Sequence, residues 1–236
     1  MENNLEFKKI KSIKRLKKKQ KVYNFNVPGY ESYVANGFVV HNCENHKISQ
    51  SDIHSNAKKF SVNQLIKIAK EKHCESICMT YNEPTVYYEF LLDLANACHD
   101  NDLKFIIKTN AYINEEPWEE VCKVVDAMNI DFKGAYQYFE NITECRFIPN
   151  YFDKIRTAIT YGVHVEISIP IFSGIDMLSD LHYLISQLAA MGGADIPCHL
   201  LKVNPAYFMI DYPTTSDEEI GVVDRCLSGV LANIYV

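Results

Sequence analysis

The chain has 236 residues, long enough for one domain or two, and its 47% hydrophobic content supplies a buried core and excludes disorder throughout. The net charge of −6 averages two unlike parts: residues 1–42 carry nine Lys/Arg against three acids, all nine between Lys8 and Lys21, whereas the remainder carries 15 against 27. No run of 18 apolar residues and no charged-then-apolar leader pattern are present, which predicts a cytoplasmic chain with no membrane partner.

The basic arm is read as an extended segment or a weak strand. It lacks interleaved aromatic residues and precedes an acidic remainder, which argues against nucleic acid as its partner and leaves an acidic protein. "VYNFNV" (22–27) alternates with period two, Pro28-Gly29 is a turn pair, and "GFVVHN" (37–42) is a second β-branched run, so two strands about that turn are expected. From Cys43 the rhythm changes. Ser61 and Gln64 form a capping-box signal for a helix over 61–73. A strand over 76–81, a helix over 86–100, a strand over 104–110 and a helix over 115–125 follow. Then come a strand over 127–134, a helix over 150–162, a strand over 163–172 and a helix over 177–191. A strand over 196–205 and a helix opening at Ser216 and Glu219 lead to "NIYV", the start of a sixth strand.

Alternation at this spacing predicts an α/β fold, a parallel sheet with helices outside, closer to a partial barrel of six β/α units than to a closed eight-fold one. Polar residues recur at the C-terminal ends of the strands: Asn82 and Glu83, Asn110, Asp131 and Lys133, His199 and Asn204. That edge is where parallel α/β folds bind ligands. The eight cysteines are dispersed, which predicts no disulfide framework and, for most of them but not Cys43, small core thiols. Cys74 and Cys78, four apart, span a helix end and a strand and read as structural.

His41-Asn42-Cys43 marks the change of rhythm. An Asn amide can attack its own carbonyl and cleave the chain after itself, an adjacent His can protonate the departing amine, and a following Cys can accept an acyl group. The stretch from "VYNFNV" through "ANG" to "FVVHNC", residues 21–43, resembles the C-terminal splicing region of an intein. By that resemblance His41 assists, Asn42 cyclises and Cys43 is the first extein residue, dividing the chain into a short all-β intein segment (1–42) and a host enzyme (43–236). Asn24 and Glu31 stand where many inteins have Asp and His, which bears on splicing rate. The resemblance implies a partner, an acidic N-terminal intein and extein half, encoded separately if Met1 is a true start and lost by truncation otherwise.

Beyond the junction, "CENHKIS", "TYNEPT", "TNAY", "NIDFKG" and "CHLLKVNPAY" resemble the radical S-adenosylmethionine superfamily, nearest to enzymes similar to pyruvate formate-lyase activating enzyme and the AmmeMemoRadiSam group. The resemblance implies a partial barrel lacking its first strand, with Cys43 as one of three thiolate ligands to a 4Fe–4S cluster. Glu83, Asn110, Asp131, Lys133 and His199 would form the S-adenosylmethionine site. Reductive cleavage of that cofactor to a 5′-deoxyadenosyl radical, an electron donor such as flavodoxin or ferredoxin, and a substrate that could be a glycyl-radical protein are implied with it. The competing expectation is a metabolic α/β-barrel enzyme with a basic arm and no splicing.

Overall fold

The computed structural model describes residues 60–80, 83–135, 150–204 and 210–236, together with the backbone of two short strands at 32–35 and 38–41. These strands, β1 (Ser32–Ala35) and β2 (Phe38–His41), pair antiparallel with Ala35 opposite Phe38. In the sequence the two strands are separated by Asn36-Gly37, a dipeptide common in hairpin sequences. The sequence reading had centred the turn on Pro28-Gly29 and missed the strand at 32–35. Its first strand, residues 22–27, lies outside the described residues, as do the basic arm, Asn42 and Cys43.

The remaining elements alternate. In chain order they are α1 (Val62–Glu71), β3 (Ser76–Met79), a 3-10 turn (Pro84–Tyr87), α2 (Tyr88–His99), β4 (Lys104–Thr109), α3 (Glu115–Cys122) and β5 (Ala127–Asp131). After them come α4 (Tyr151–Thr160), β6 (His164–Ile171), α5 (Leu178–Ala190), β7 (Cys198–Lys202), α6 (Asp217–Leu227) and β8 (Ile234–Tyr235). Two helix starts are local chemistry. Ser61 and Gln64 satisfy each other's backbone N–H groups at the head of α1, and Ser216 and Glu219 do the same at α6.

Strands β3 to β8 form one parallel sheet in chain order, each crossover stepping one strand further. This is the winding of a β/α barrel that stays open. Period-two alternation sorts the side chains. Phe105, Ile107, Met128, Ile130, Val165, Ile167, Ile169, Cys198 and Leu200 are at most 5% exposed and form the core under the helices. Many of the intervening positions are polar, among them Lys108, Asn129, Asp131, Glu166, Ser168 and His199, beside apolar Ile106 and Leu201. They line the opposite, inner face, and that division positions the site.

The strand at the chain's start of the sheet is different. None of the four β3 residues is buried, although the matching outer positions of β4 are. Among the described residues, no strand pairs with the outer edge of β3.

Candidate functional site on the inner face of the sheet

A cavity of about 390 Å³ opens on the inner face, lined by Cys78 and Thr80 from β3 and its exit, Ile106 and Lys108 from β4, and Asn129 from β5. Glu166 and Ser168 from β6, with His199 and Leu201 from β7, close the other side. Cys78 Sγ is a thiol here, its pKa raised by burial and only partly lowered by the nearby Lys108 charge.

Asp131 ends β5 and is held from two sides. Lys108 Nζ donates to its Oδ1 at 2.6 Å and Lys133 Nζ to its Oδ2 at 2.8 Å. Burial pushes the carboxyl up, but Lys133 and Lys108 more than reverse this, so Asp131 sits below its ordinary range and stays ionised. Lys133 is 12% exposed and Asp131 16%. The next residue but two, Gly134, has φ +86°, a conformation for which glycine is the usual residue, and it turns the chain so that Ala135 N–H reaches Asp180 at 2.6 Å.

His199 had been expected at the C-terminal edge of its strand. It is instead the second residue of β7, because the strand starts at Cys198. The register nevertheless sets Asp131 opposite Ser168, Ser168 opposite His199, and His199 opposite Tyr235. One oblique row therefore crosses four strands, and the end of β5 lies level with the beginning of β7, the stagger that a curving barrel sheet imposes. His199 stacks on Tyr235 with ring centroids 5.2 Å apart. Its Nε2 lies 2.9 Å from Glu166 Oε2.

Glu83 and Asn110 meet at the C-terminal end of β4. Glu83 Oε1 accepts from Thr85 N, Thr85 Oγ1 and Thr109 Oγ1, and its Oε2 accepts from Asn110 N at 2.8 Å. Three donors crowd Oε1 and one engages Oε2, so Glu83 fastens the β3 exit to the β4 exit. Asn110 Oδ1 accepts from Tyr112 N, and the intervening Ala111 takes φ +56°. Of the expected residues, then, Asp131 pairs with Lys133, Glu83 with Asn110, and His199 with Glu166. His41 ends β2, and its side chain, with Asn42 and Cys43, lies outside the described residues.

Lys108, Asn129, Glu166 and Ser168 were not singled out from sequence. Their signal was there: each is two residues from another inward position on its strand, and polar residues recur at that period where a doubly buried strand would be apolar throughout.

The sequence profile of the Radical SAM superfamily matches residues 43–182. The chain belongs to that superfamily. An uncharacterised protein of Methanocaldococcus jannaschii is 30% identical over 166 residues, 69% of this chain and 48% of that protein. A 4-hydroxyphenylacetate decarboxylase activating enzyme of Clostridium scatologenes is 27% identical over 100 residues, 40% of this chain and 30% of that enzyme. The chain thus spans about half of the first relative and less of the second. A domain of a pyruvate-formate lyase-activating enzyme from Bacteroides vulgatus superposes with a TM-score of 0.56 at 20% identity, over 68% of this chain and 99% of that one, and shares the fold.

Radical SAM proteins use a 4Fe–4S cluster and S-adenosylmethionine. The described residues fit these two groups differently. No group of three or more Cys, His, Asp or Glu able to hold a metal occurs among them. Cys122 and Cys198 are core thiols pushed up to about 12 by burial, and Cys98 is raised to about 11, so these are not thiolates. The inner face does fit a zwitterionic nucleoside ligand. It offers the Lys108 ammonium, the Glu166 carboxylate, hydroxyls and a stacked imidazole around an open cavity. No described helix is long and apolar enough to cross a membrane.

Proposed function

We propose that residues 43–236 are the C-terminal part of a radical SAM activating enzyme whose chain is interrupted at its cluster loop by an intein, residues 1–42 being the intein's C-terminal segment. The observation that carries the reading is that the superfamily match begins at Cys43, the residue directly after Asn42. His41 closes a hairpin strand immediately before it. The outer edge of β3, unpaired among the described residues and with Ile77 and Met79 only half-buried, supports a further strand contributed by a segment outside the described residues. The paired cluster cysteines would come with that strand.

In this reading Lys133, held beside Asp131, receives the carboxylate end of S-adenosylmethionine, and Asp131 stays ionised to orient it. Asn110 and Glu83 shape the rim over that end. His199, fixed by Glu166, lies along the same row and meets the nucleoside. When bound, the cluster and cofactor supply radical chemistry. The chain's own residues bind, orient and enclose. The Clostridium relative is by name an activating enzyme of a decarboxylase, and that name favours a protein substrate for this chain too. A small electron-carrier protein would reduce the cluster, and the enzyme would act in the cytoplasm.

The test is to mix the chain with candidate N-terminal halves and follow mass. Ligation of 43–236 to the added host segment, with release of residues 1–42 ending in a succinimide at Asn42, is expected. Cys43→Ala should abolish ligation while leaving Asn42 cleavage. An inert Asn42–Cys43 bond with every intact partner would leave an uninterrupted enzyme with a basic arm.

A further inference from the structure

Lys108 was not among the residues the family resemblance supplied, yet its charge lines the cavity and is held by two side chains of the neighbouring strand. It stands beside Asn129 in the β4–β5 register, and Asp131 is two residues further along the same face. Opposite and diagonal neighbours on a sheet face lie within reach of a long side chain. Its ammonium donates to Asn129 Oδ1 at 2.8 Å and to Asp131 Oδ1 at 2.6 Å.

Asn129 is itself held from the far side. Ser168 Oγ, on β6, donates to the same Oδ1 at 2.7 Å. A lysine ammonium only donates, so the oxygen of that amide must face Lys108, and with both its lone pairs occupied the amide is fixed. The result is one chain of polar contacts across three strands: Ser168, Asn129, Lys108, Asp131, Lys133. Asp131 is the hinge of it, and Lys108 decides which of its oxygens is left for Lys133.

We propose that Lys108 is a positioning residue of the cofactor site: clamped between Asn129 and Asp131, it sets the Asp131 carboxylate and adds the positive charge that favours a ligand's carboxylate there. This rests on the reading of Asp131 and Lys133 as cofactor residues. Without Lys108 the Asp131 carboxylate is free to rotate onto Lys133, which then presents less of its charge to a ligand. The site also loses one positive charge outright, in a partly buried place where charges are weakly screened.

Two measurements on this chain separate the proposal from that reading. The first follows the side-chain carboxyl of Asp131 by 13C NMR against pH. Lys108→Met and Lys108→Gln should each move its midpoint upward, and Lys108→Arg should restore most of the wild-type value. Unchanged midpoints in folded Met and Gln variants would overturn the proposal. The second compares binding of S-adenosylmethionine with that of 5′-methylthioadenosine, which lacks the amino-acid end. Lys108→Met or Lys108→Gln should weaken the first about tenfold and the second less than about twofold. Equal loss for both ligands, or no loss for either, would overturn it. A wild-type chain that binds neither would instead remove the cofactor reading, while the Asp131 titration still decides whether Lys108 governs that carboxylate.

Discussion

Glu166 on β6 and His199 on β7 meet at 2.9 Å between Oε2 and Nε2, while the other Glu166 oxygen lies 3.1 Å from His164 Nε2. One carboxylate thus joins two imidazoles on the inner face. The bond to His199 fixes the ring that stacks on Tyr235 and leaves its Nδ1 as the nitrogen not committed to Glu166.

Burial raises the Glu166 pKa, and the contacts with His164 and His199 more than offset it, so the folded value lies below the ordinary 4.5. A depressed carboxylate contributes stability above its unfolded value and loses it as pH falls through the folded one. Glu166→Gln should therefore lower Tm at pH 7, and the two Tm curves should draw together as pH falls below the ordinary 4.5 and through the lower folded value. Differential scanning fluorimetry from pH 3 to pH 8 reads this directly.

Asp131 follows the same sign with a larger expected effect, because it is more enclosed. Asp131→Asn removes the anion between two lysines and should cost about 3 kcal/mol at pH 7. The deficit should shrink as pH falls below the ordinary carboxylate value of 3.8 and through the lower folded one. Urea unfolding at pH 7 and pH 3 checks it.

Lys154 is a buried charge of the opposite kind. It is 2% exposed on α4, its Nζ has no hydrogen-bond partner among the described residues, and it lies 5.9 Å from the centre of the Trp118 ring. Burial lowers its pKa to about 8, and a weaker attraction from Glu115 does not restore it. The folded chain sheds this proton earlier than the unfolded one, so stability rises with pH from about 8 to the ordinary 10.5. Lys154→Met should stabilise the chain by on the order of 2 kcal/mol at pH 7. That gain should diminish across the same window in denaturant titrations.

Glu83 ties Thr85, Thr109 and Asn110 together, so Glu83→Ala should free the rim without unfolding the core. Hydrogen exchange at the Thr85 and Asn110 amides should rise at least about tenfold, while Phe105 and Ile107, at 0% exposure, keep their protection. Equal acceleration at all four would mean that Glu83 supports the sheet as a whole.

By itself the sequence determined the order of strands and helices after residue 60, because those signals are local: the Ser61/Gln64 and Ser216/Glu219 boxes start their helices where expected, and alternate apolar positions mark the strands. It also determined the superfamily, through short motifs at strand ends. Strand ends were less legible. The reading carried β5 to residue 134 and β7 to residue 205, whereas they stop at Asp131 and Lys202. Val203 leaves the sheet there because Thr215 takes its N–H and also donates to the Ile171 carbonyl. What only the tertiary structure decided is which polar side chains meet. Lys108 finds Asp131 and Glu166 finds His199 across parallel strands that are separated by a helix in the chain. Their register is set by how each helix packs on the outer face, and no local pattern encodes it.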